Sequence, residues 1–275
     1  MEFDVSRNNA GNANVGHFRI FGLNPTSRNN LRYDFYDWGL LSTMTLQAGY
    51  GRNLPTIFAG NIITSQSYRE GVTFMTEIDA HDIGFAFINA DFNQPYEAGT
   101  PYQQIMDDMI NSLGVFGVKP GITNPDFATY QGNTKLPVKK TYSGKTIQLL
   151  TELTGNNFFI DNGKSYVLNI NDVISGTLKV LDESAGIINS PRLEYNTVHL
   201  EMEFEPSILM SQLLTLNLTQ NSSLNSDQNL NGDYKVISIK HRGIISPTVC
   251  GDAITTLGLI SSKYVGSLNS VQGEF

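Results

Sequence analysis

A run of acidic and imidazole side chains near residue 200 is the part of the sequence best suited to chemistry. His199, Glu201, Glu203 and Glu205 alternate with apolar residues, as they would along a β-strand with one buried face. Histidine and carboxylate groups on one face are potential metal ligands. Neighbouring side chains on one face of a strand lie about 7 Å apart, however, which is too far for all four to hold one ion. The pattern favours either a solvated face or an acidic lining, and both interpretations stay open.

A second acidic group, Glu77 and Asp79, ends a predicted strand and is followed by His81 and Asp82. A histidine beside carboxylates can act in general acid–base catalysis. His81 lies at the end of the strand, where a side chain more often takes part in capping or in a turn. The sequence contains neither a phosphate-binding glycine loop nor a G-x-S-x-G nucleophile elbow. We therefore predict no catalytic, cofactor or metal site and no enzyme activity.

The strands that position these side chains are clearest between Leu40 and Asp79. Three runs of alternating residues are separated by turn residues around Gly51 and Gly71, which predicts an antiparallel meander. Two earlier strands and a later one at residues 84–89 bring the number to about six, enough to close a small barrel or sandwich. Residues 1–95 are therefore predicted to form a first β-barrel domain.

The rest of the chain divides into a mixed part and a second β-rich part. Helical spacing of apolar residues begins at Tyr102 and again near Gly144, and the pair Asn162-Gly163 marks a hairpin. Residues 96–180 are therefore predicted as an α+β middle domain. Five further strands predict a second β-barrel domain at residues 181–265, followed by a loose C-terminal tail at residues 266–275. The predicted fold class is mainly β, with two small β-barrel domains flanking a mixed domain.

Composition limits the possible partners. The chain has 275 residues and a formal net charge of −8. A surface of that charge does not hold nucleic acid tightly, because tight binding requires basic groups that neutralise phosphates. The single cysteine, Cys250, cannot form an intrachain disulfide, and we expect it to be buried and inert. No membrane segment or signal peptide is recognisable, so synthesis in the cytosol is expected.

Stretches at both ends of the sequence resemble a known family. Leu46 to Tyr50, followed by Ile57 to Ile62, is similar to a strand, AGY, loop and strand pattern near the start of baseplate hub proteins of contractile-tailed bacteriophages. Pro206 to Leu218 and Asn231 to Gly243 are similar to two further strands of those proteins. At Ser211 the family usually has a glycine in the turn, and this chain departs from the pattern there.

The resemblance implies an assembly role. Members of the family have two similar β-barrel domains flanking a mixed domain, and they form homotrimers whose six barrels make a pseudo-sixfold ring. The ring joins the tail tube to the central spike, contacts other baseplate proteins and surrounds the DNA exit channel. For this chain the resemblance implies a virion protein of the tail baseplate, made in the host cytoplasm. The candidate channel-lining residues are Glu77, Asp79, His199, Glu201, Glu203 and Glu205.

Two other classes of protein remain as alternatives. A tail-associated hydrolase of cell walls or polysaccharides needs a pair of acids in a cleft, one with a raised pKa, and aromatic platforms for sugar. Trp38 is the only tryptophan, which counts against that class. A carbohydrate-binding β-sandwich is the second alternative. A hub from a noncontractile tail is also compatible with the sequence.

Overall fold

The structure, a computed structural model, describes residues 1–9, 11–31, 42–52, 54–82, 84–218, 230–246, 251–265 and 268–271. Cys250 and Trp38 lie outside these ranges. Within them, no helix combines the length and the apolar character needed to cross a membrane.

The N-terminal part of the chain is built from strands, as predicted. Its elements are β1 Glu2–Asn8, β2 Val15–Phe21, α1 Pro25–Leu31, β3 Thr43–Gln47, β4 Thr56–Glu70 and β5 Thr73–His81. β1 and β2 form a hairpin, and β3, β4 and β5 form the predicted antiparallel meander. Every second residue of β1 is buried, in keeping with its polar and apolar alternation.

The segment predicted as a sixth strand of this part is a helix instead. α2 spans Gly84–Asn89 and buries Ala86 in the core of the middle region. A short apolar run does not show by its own pattern whether it is a strand or a buried helix. Tertiary packing decides here, because the Phe85 ring meets the Phe116 ring edge to face with centroids 5.9 Å apart. The strand prediction for residues 84–89 is therefore wrong.

The middle region mixes helices with short strands, as predicted. Its elements are β6 Asp91–Tyr96, α3 Tyr102–Ser112, a 3-10 helix at Leu113–Phe116, β7 Lys119–Asn124, α4 Phe127–Gln131, β8 Lys140–Lys145, α5 Thr146–Leu153, β9 Phe158–Asp161 and β10 Lys164–Leu168. β9 and β10 form the predicted hairpin, and Asn162 has the left-handed φ of 50° that its turn requires. α3, α5 and this hairpin share one hydrophobic core, which includes Ile105, Leu150 and Phe158.

The last part of the chain contains the five predicted strands and two others. Its elements are β11 Asp172–Leu181, a 3-10 helix at Glu183–Ala185, β12 Arg192–Glu194, β13 Thr197–Glu203, β14 Gln212–Leu216, β15 Gly232–Ile244, β16 Ala253–Ser261, α6 Ser262–Val265 and β17 Asn269–Val271. β17 lies in the segment expected to be a loose tail, yet it pairs in parallel with β11. Ser211 has a φ of 59°, the left-handed conformation that favours glycine.

One twelve-stranded sheet joins the two ends of the chain. β15 is 13 residues long; one of its edges pairs first with β14 and then with β1, and its other edge pairs with β16. The main path of the sheet is therefore β12-β13-β16-β15-β1-β2-β5-β4-β3. Two separate barrels were predicted, but no barrel closes among the described residues, because β15 shares its edge with β1. The division into domains near residues 95, 180 and 265 stays a prediction.

The buried apolar residues of the described ranges form three hydrophobic cores. The first includes Phe18 and Phe58, the second fills the middle region, and the third includes Leu200 and Leu257. Phe204 follows β13 in the sequence but belongs to the first core, where its ring lies 5.9 Å from that of Phe3. Packing therefore crosses between the two ends of the chain, as the hydrogen bonds of the sheet do.

Candidate functional site on the large sheet

The two acidic groups predicted as candidate sites lie on one face of the large sheet. Asp79 on β5 is paired with His17 on β2, which is paired with Asp4 on β1. Asp4 is paired in turn with Arg242 on β15. Arg242 is paired with Ile254 on β16, and Ile254 is paired on its other side with Glu203 on β13. Paired residues of neighbouring strands point to the same side of a sheet. The tertiary structure therefore places the carboxylates of Asp79 and Glu203, which are far apart in the sequence, on one face of the sheet.

Ion pairs hold several charged side chains on this face. Arg19 Nη1 lies 2.8 Å from Glu2 Oε2, and Arg19 Nε lies 3.4 Å from Glu77 Oε1. Lys240 Nζ lies 2.9 Å from Asp4 Oδ2. All five side chains are between 35% and 48% exposed. Water screens such pairs, so each contributes little to the stability of the fold.

The face carries more negative than positive charge. Its carboxylates include those of Glu2, Asp4, Glu77, Asp79, Glu194, Glu201 and Glu203, and its basic side chains include those of Arg19, Arg192, Lys240 and Arg242. None of these carboxylate residues is buried. We call this surface the charged face. It is an acidic surface crossed by ion pairs, not a row of carboxylates alone.

Asp79 is held by two hydrogen-bonding partners. Thr64 Oγ1 donates to its Oδ2 at 2.7 Å, and His17 Nδ1 lies 2.5 Å from its Oδ1. Burial raises the pKa of Asp79, but the bonds from Thr64 and His17 outweigh this effect and hold the pKa below its usual value. Burial lowers the pKa of nearby His81, although the Asp79 charge opposes the shift. An ionised, hydrogen-bonded carboxylate with a low pKa is a poor general base at neutral pH.

Glu205 does not share the face of the other predicted residues on β13. The strand ends at Glu203, and Glu205 lies two residues beyond its end. Its Oε2 is 2.6 Å from Lys179 Nζ, and its Oε1 accepts hydrogen bonds from the backbone N–H and hydroxyl of Ser207. Burial raises the pKa of Glu205, but these partners hold it below its usual value. The alternation in the sequence continues to Glu205, but the strand does not. Pro206 cannot donate a hydrogen bond to the sheet, so it disfavours a longer strand.

His199 makes one charged contact on the charged face. Its Nε2 lies 3.9 Å from Glu194 Oε2 on the neighbouring strand β12, which is beyond hydrogen-bonding distance. No group of three or more histidine, cysteine, aspartate or glutamate side chains in the described ranges is arranged to hold a metal ion. The charged face therefore offers electrostatic character rather than a coordination site.

A second polar cluster, missed in the sequence, is buried on the other side of the same sheet. We call it the buried junction; it consists of Arg7, Asn14, Asp82, Asp161 and His241, none more than 7% exposed. Arg7 Nη1 lies 3.2 Å from Asp161 Oδ2. Asn14 Nδ2 donates to Asp161 Oδ1 at 3.1 Å and lies 3.5 Å from Asp82 Oδ2. The cluster joins β1, the β9–β10 hairpin and β15.

Burial changes the protonation of two groups in the junction. It raises the pKa of Asp82 to about 7, and the neighbouring Asp161 charge adds to the shift, although the N–H of Gly163 donates to Asp82 Oδ1 at 3.1 Å. It lowers the pKa of His241 to about 3, and the Arg7 charge acts in the same direction. His241 is therefore neutral.

A sequence signal for the buried junction exists. Arg7 continues the inward-facing alternation of Phe3 and Val5 along β1, and Asp82 continues that of Ile78 and Ala80 along β5. A charged residue in a core position of a strand is almost always paired, so each of these positions indicates a buried partner. The identity of that partner is not visible in a local pattern.

No family model matches this sequence, and no curated protein was found to be similar to it. Solved structures do share its fold. The 43 kDa tail protein of prophage MuSo2 from Shewanella oneidensis superposes with a TM-score of 0.62 at 8% identity, over 98% of this chain and 95% of that one. A tail protein from Neisseria meningitidis MC58 superposes with a TM-score of 0.54 at 8% identity, over 94% of this chain and 91% of that one.

A protein of a secretion system has the fold too. The E. coli c3393 protein, a component of the type VI secretion system described as structurally similar to T4 bacteriophage tail proteins, superposes with a TM-score of 0.59 at 8% identity. That match covers 95% of this chain and 73% of the other. The resemblance to tail proteins seen in the sequence is thereby confirmed at the level of the fold.

Proposed function

We propose that this chain, whose fold is that of phage tail and type VI secretion proteins, is a structural subunit of a tail baseplate hub. The observation that carries the proposal is the match over 98% of the chain to a phage tail protein. In this proposal the protein resides in the tail baseplate of the virion and is made in the host cytoplasm.

Three copies form the proposed ring, which joins the tail tube to the central spike. A single sheet that contains strands from both ends of the chain supports this arrangement, because each copy then offers two β-rich parts to the ring. Three copies supply six such parts, which matches a sixfold tube on one side and a threefold spike on the other. The middle region has its own core and is proposed to lie outside the ring, where it contacts other baseplate proteins.

The charged face is proposed to line the channel through which DNA leaves. Its excess of carboxylates keeps phosphates from settling on the wall, because like charges repel and few counterions are released. The proposed lining residues are Glu77, Asp79, His199, Glu201 and Glu203. Glu205 is left out, since it lies beyond β13 and pairs with Lys179.

The contacts of the acidic residues support a structural role rather than a hydrolase. Asp107 and Asp108, adjacent on α3, bind different partners: Gln103 donates to Asp107 at 3.0 Å, and Tyr96 Oη donates to Asp108 at 2.8 Å. Glycoside hydrolysis needs two carboxylates that face one bond. Asp79 is likewise occupied by Thr64 and His17.

The mass of the purified protein in solution tests the proposal. We expect the mass of a trimer, either for the protein alone or after a candidate spike protein is added. In an electron cryomicroscopy map of the trimer, we expect the charged face to point toward the central axis. A chain that stays monomeric with the spike present contradicts the hub. A trimer with these carboxylates on its outer surface contradicts the channel lining alone.

A further inference from the structure

A polar cleft of about 900 Å³ lies where the middle region meets the last part of the chain. It is bounded by α4, the turn after α5, the loop between β10 and β11, and β17. Five asparagines line it: Asn124, Asn156, Asn157, Asn169 and Asn171. Two aspartates, a threonine and a tyrosine complete its polar surface. The cleft is separate from the charged face and from the buried junction.

The floor of the cleft is built on buried charges. Asp172 is 1% exposed, and its Oδ2 accepts hydrogen bonds from Asn124 Nδ2 at 2.9 Å and from the backbone N and Nδ2 of Asn169 at 2.9 and 2.7 Å. Lys235, also 1% exposed, donates to the backbone oxygen of Asn169 at 2.7 Å. Buried charges are costly, and apolar residues in their place are often more stabilising. Here Asp172 holds the side-chain amides of Asn124 and Asn169, and Lys235 holds the backbone of Asn169.

The hydrogen bonds also set which atoms of these amides are free for a ligand. The Nδ2 groups of Asn124 and Asn169 are held by Asp172, and Tyr130 Oη donates to Asn169 Oδ1. Asn157 Nδ2 donates to the backbone oxygens of residues 154 and 155 at 3.0 and 3.1 Å. Amides fixed in this way lose little entropy when a ligand binds, which raises affinity.

The chemistry of the walls selects a class of ligand. Among the described residues, no lysine, arginine or histidine lines the cleft, so phosphates and other anions find no counter-charge there. In the part of the wall that the structure describes, the apolar side chains are Pro125, Ile170, Val271 and the tyrosine ring, which leaves no pockets for the side chains of a peptide strand. A sugar hydroxyl both donates and accepts hydrogen bonds, as a mixed surface of amides, carboxylates and hydroxyls requires.

We propose that this cleft binds a neutral saccharide. The hydroxyl groups of the sugar donate to amide and carboxylate oxygens of the walls and accept from the amide N–H groups that remain free. Tyr130 offers its ring to the apolar side of a sugar ring. The proposal goes beyond the assembly role and does not depend on it, because the cleft belongs to a single chain.

Titration of the full chain with neutral trisaccharides of glucose, galactose and N-acetylglucosamine, followed by NMR of the backbone amides, tests the proposal. We expect at least one of them to shift signals of the cleft at millimolar concentration. The variant Asn156→Gly with Asn171→Ala should bind about 30-fold more weakly, since two hydrogen bonds of about 1 kcal/mol each are removed and about 1.4 kcal/mol is tenfold. Glycine suits residue 156, which has a φ of 65°.

Asn93→Ala is the matched control, because Asn93 is an exposed asparagine on β6 that does not line the cleft. Its affinity should equal that of the unchanged protein. If the double variant melts at a lower temperature than the unchanged protein, each single variant is titrated instead. The proposal is overturned if none of the trisaccharides shifts the cleft signals, if the cleft variants bind as well as the control, or if a neutral Gly-Ser peptide shifts the same signals at the same concentration. None of these results bears on whether the chain forms a trimer.

Discussion

The charged face and the buried junction use the same kinds of side chain on opposite sides of one sheet. Arg19, paired with Glu2, is 42% exposed, whereas Arg7, paired with Asp161, is 2% exposed. Water replaces a lost partner on the exposed side, but nothing replaces it in the junction. The difference shows that burial, not the presence of an ion pair, decides how much stability depends on a charge.

The two regions also differ in what they can contribute to assembly. The junction joins β1, β15 and the β9–β10 hairpin, so it holds the middle region against the sheet. The charged face leaves its side chains in solvent, where they set the electrostatic potential of a surface without fixing its shape. Four experiments test this contrast, from the largest expected effect to the smallest.

Replacing the buried arginine should have the largest effect. In Arg7→Met the carboxylate of Asp161 loses its charged partner while it stays buried, and we expect the free energy of unfolding to fall by about 3 to 5 kcal/mol. Urea denaturation measures the change. Arg19→Met, which removes an arginine from the exposed side, is the matched control and should lose far less. Equal losses in the two variants would contradict the comparison.

The Asp82 carboxyl should make stability depend on pH. Its pKa rises from 3.8 to about 7 on folding, so the folded state binds the proton more tightly than the unfolded state does. Stability from this group is therefore complete below about pH 4 and is lost as pH rises to about 7, by roughly 4 kcal/mol in all at about 1.4 kcal/mol per unit. Asp82→Asn should remove this component from a series of urea curves at different pH values. Parallel pH profiles of the variant and the unchanged protein would rule the shift out.

Asp79 on the charged face should contribute little to stability. Asp79→Asn keeps the shape of the side chain and removes a charge that is 47% exposed, so we expect the free energy of unfolding to change by no more than about 1 kcal/mol. Thermal melts at low and high salt measure it. If the free energy of unfolding fell as much as in Arg7→Met, the Asp79 side chain would have to be shielded from solvent in the folded protein.

Reversing charges on β13 should change DNA retention with almost no effect on stability. Glu201→Lys with Glu203→Lys shifts the charge of the charged face by four units in the positive direction, so we expect DNA binding at low salt that weakens steeply as salt is added. Electrophoretic mobility shift assays measure it. Glu97→Lys with Glu152→Lys, which changes the net charge equally at exposed sites outside the face, is the control. If both variants retain DNA equally, the charged face has no special relation to a channel.

Most strands could be predicted because their signals are local. The meander from β3 to β5 and the five later strands follow from alternation and turn residues, and the helix at Tyr102 follows from the spacing of its apolar residues. α2 and β17 could not be predicted in this way. α2 is a short apolar run whose state depends on the Phe116 ring beside it, and β17 is three residues long and exists through its pairing with β11.

The amino-acid sequence by itself determined which residues of each strand point inward and which point outward, because alternation is a property of a single strand. The alternation therefore predicts that the carboxylates on β5 and β13 point outward and that Arg7 points inward. Tertiary structure alone decided that the two acidic groups share one face and that Arg7 meets Asp161, 154 residues away. These contacts depend on the pairing of one edge of β15 with both β14 and β1. They depend also on the desolvation cost of each buried charge. Neither is a property of a local stretch of chain.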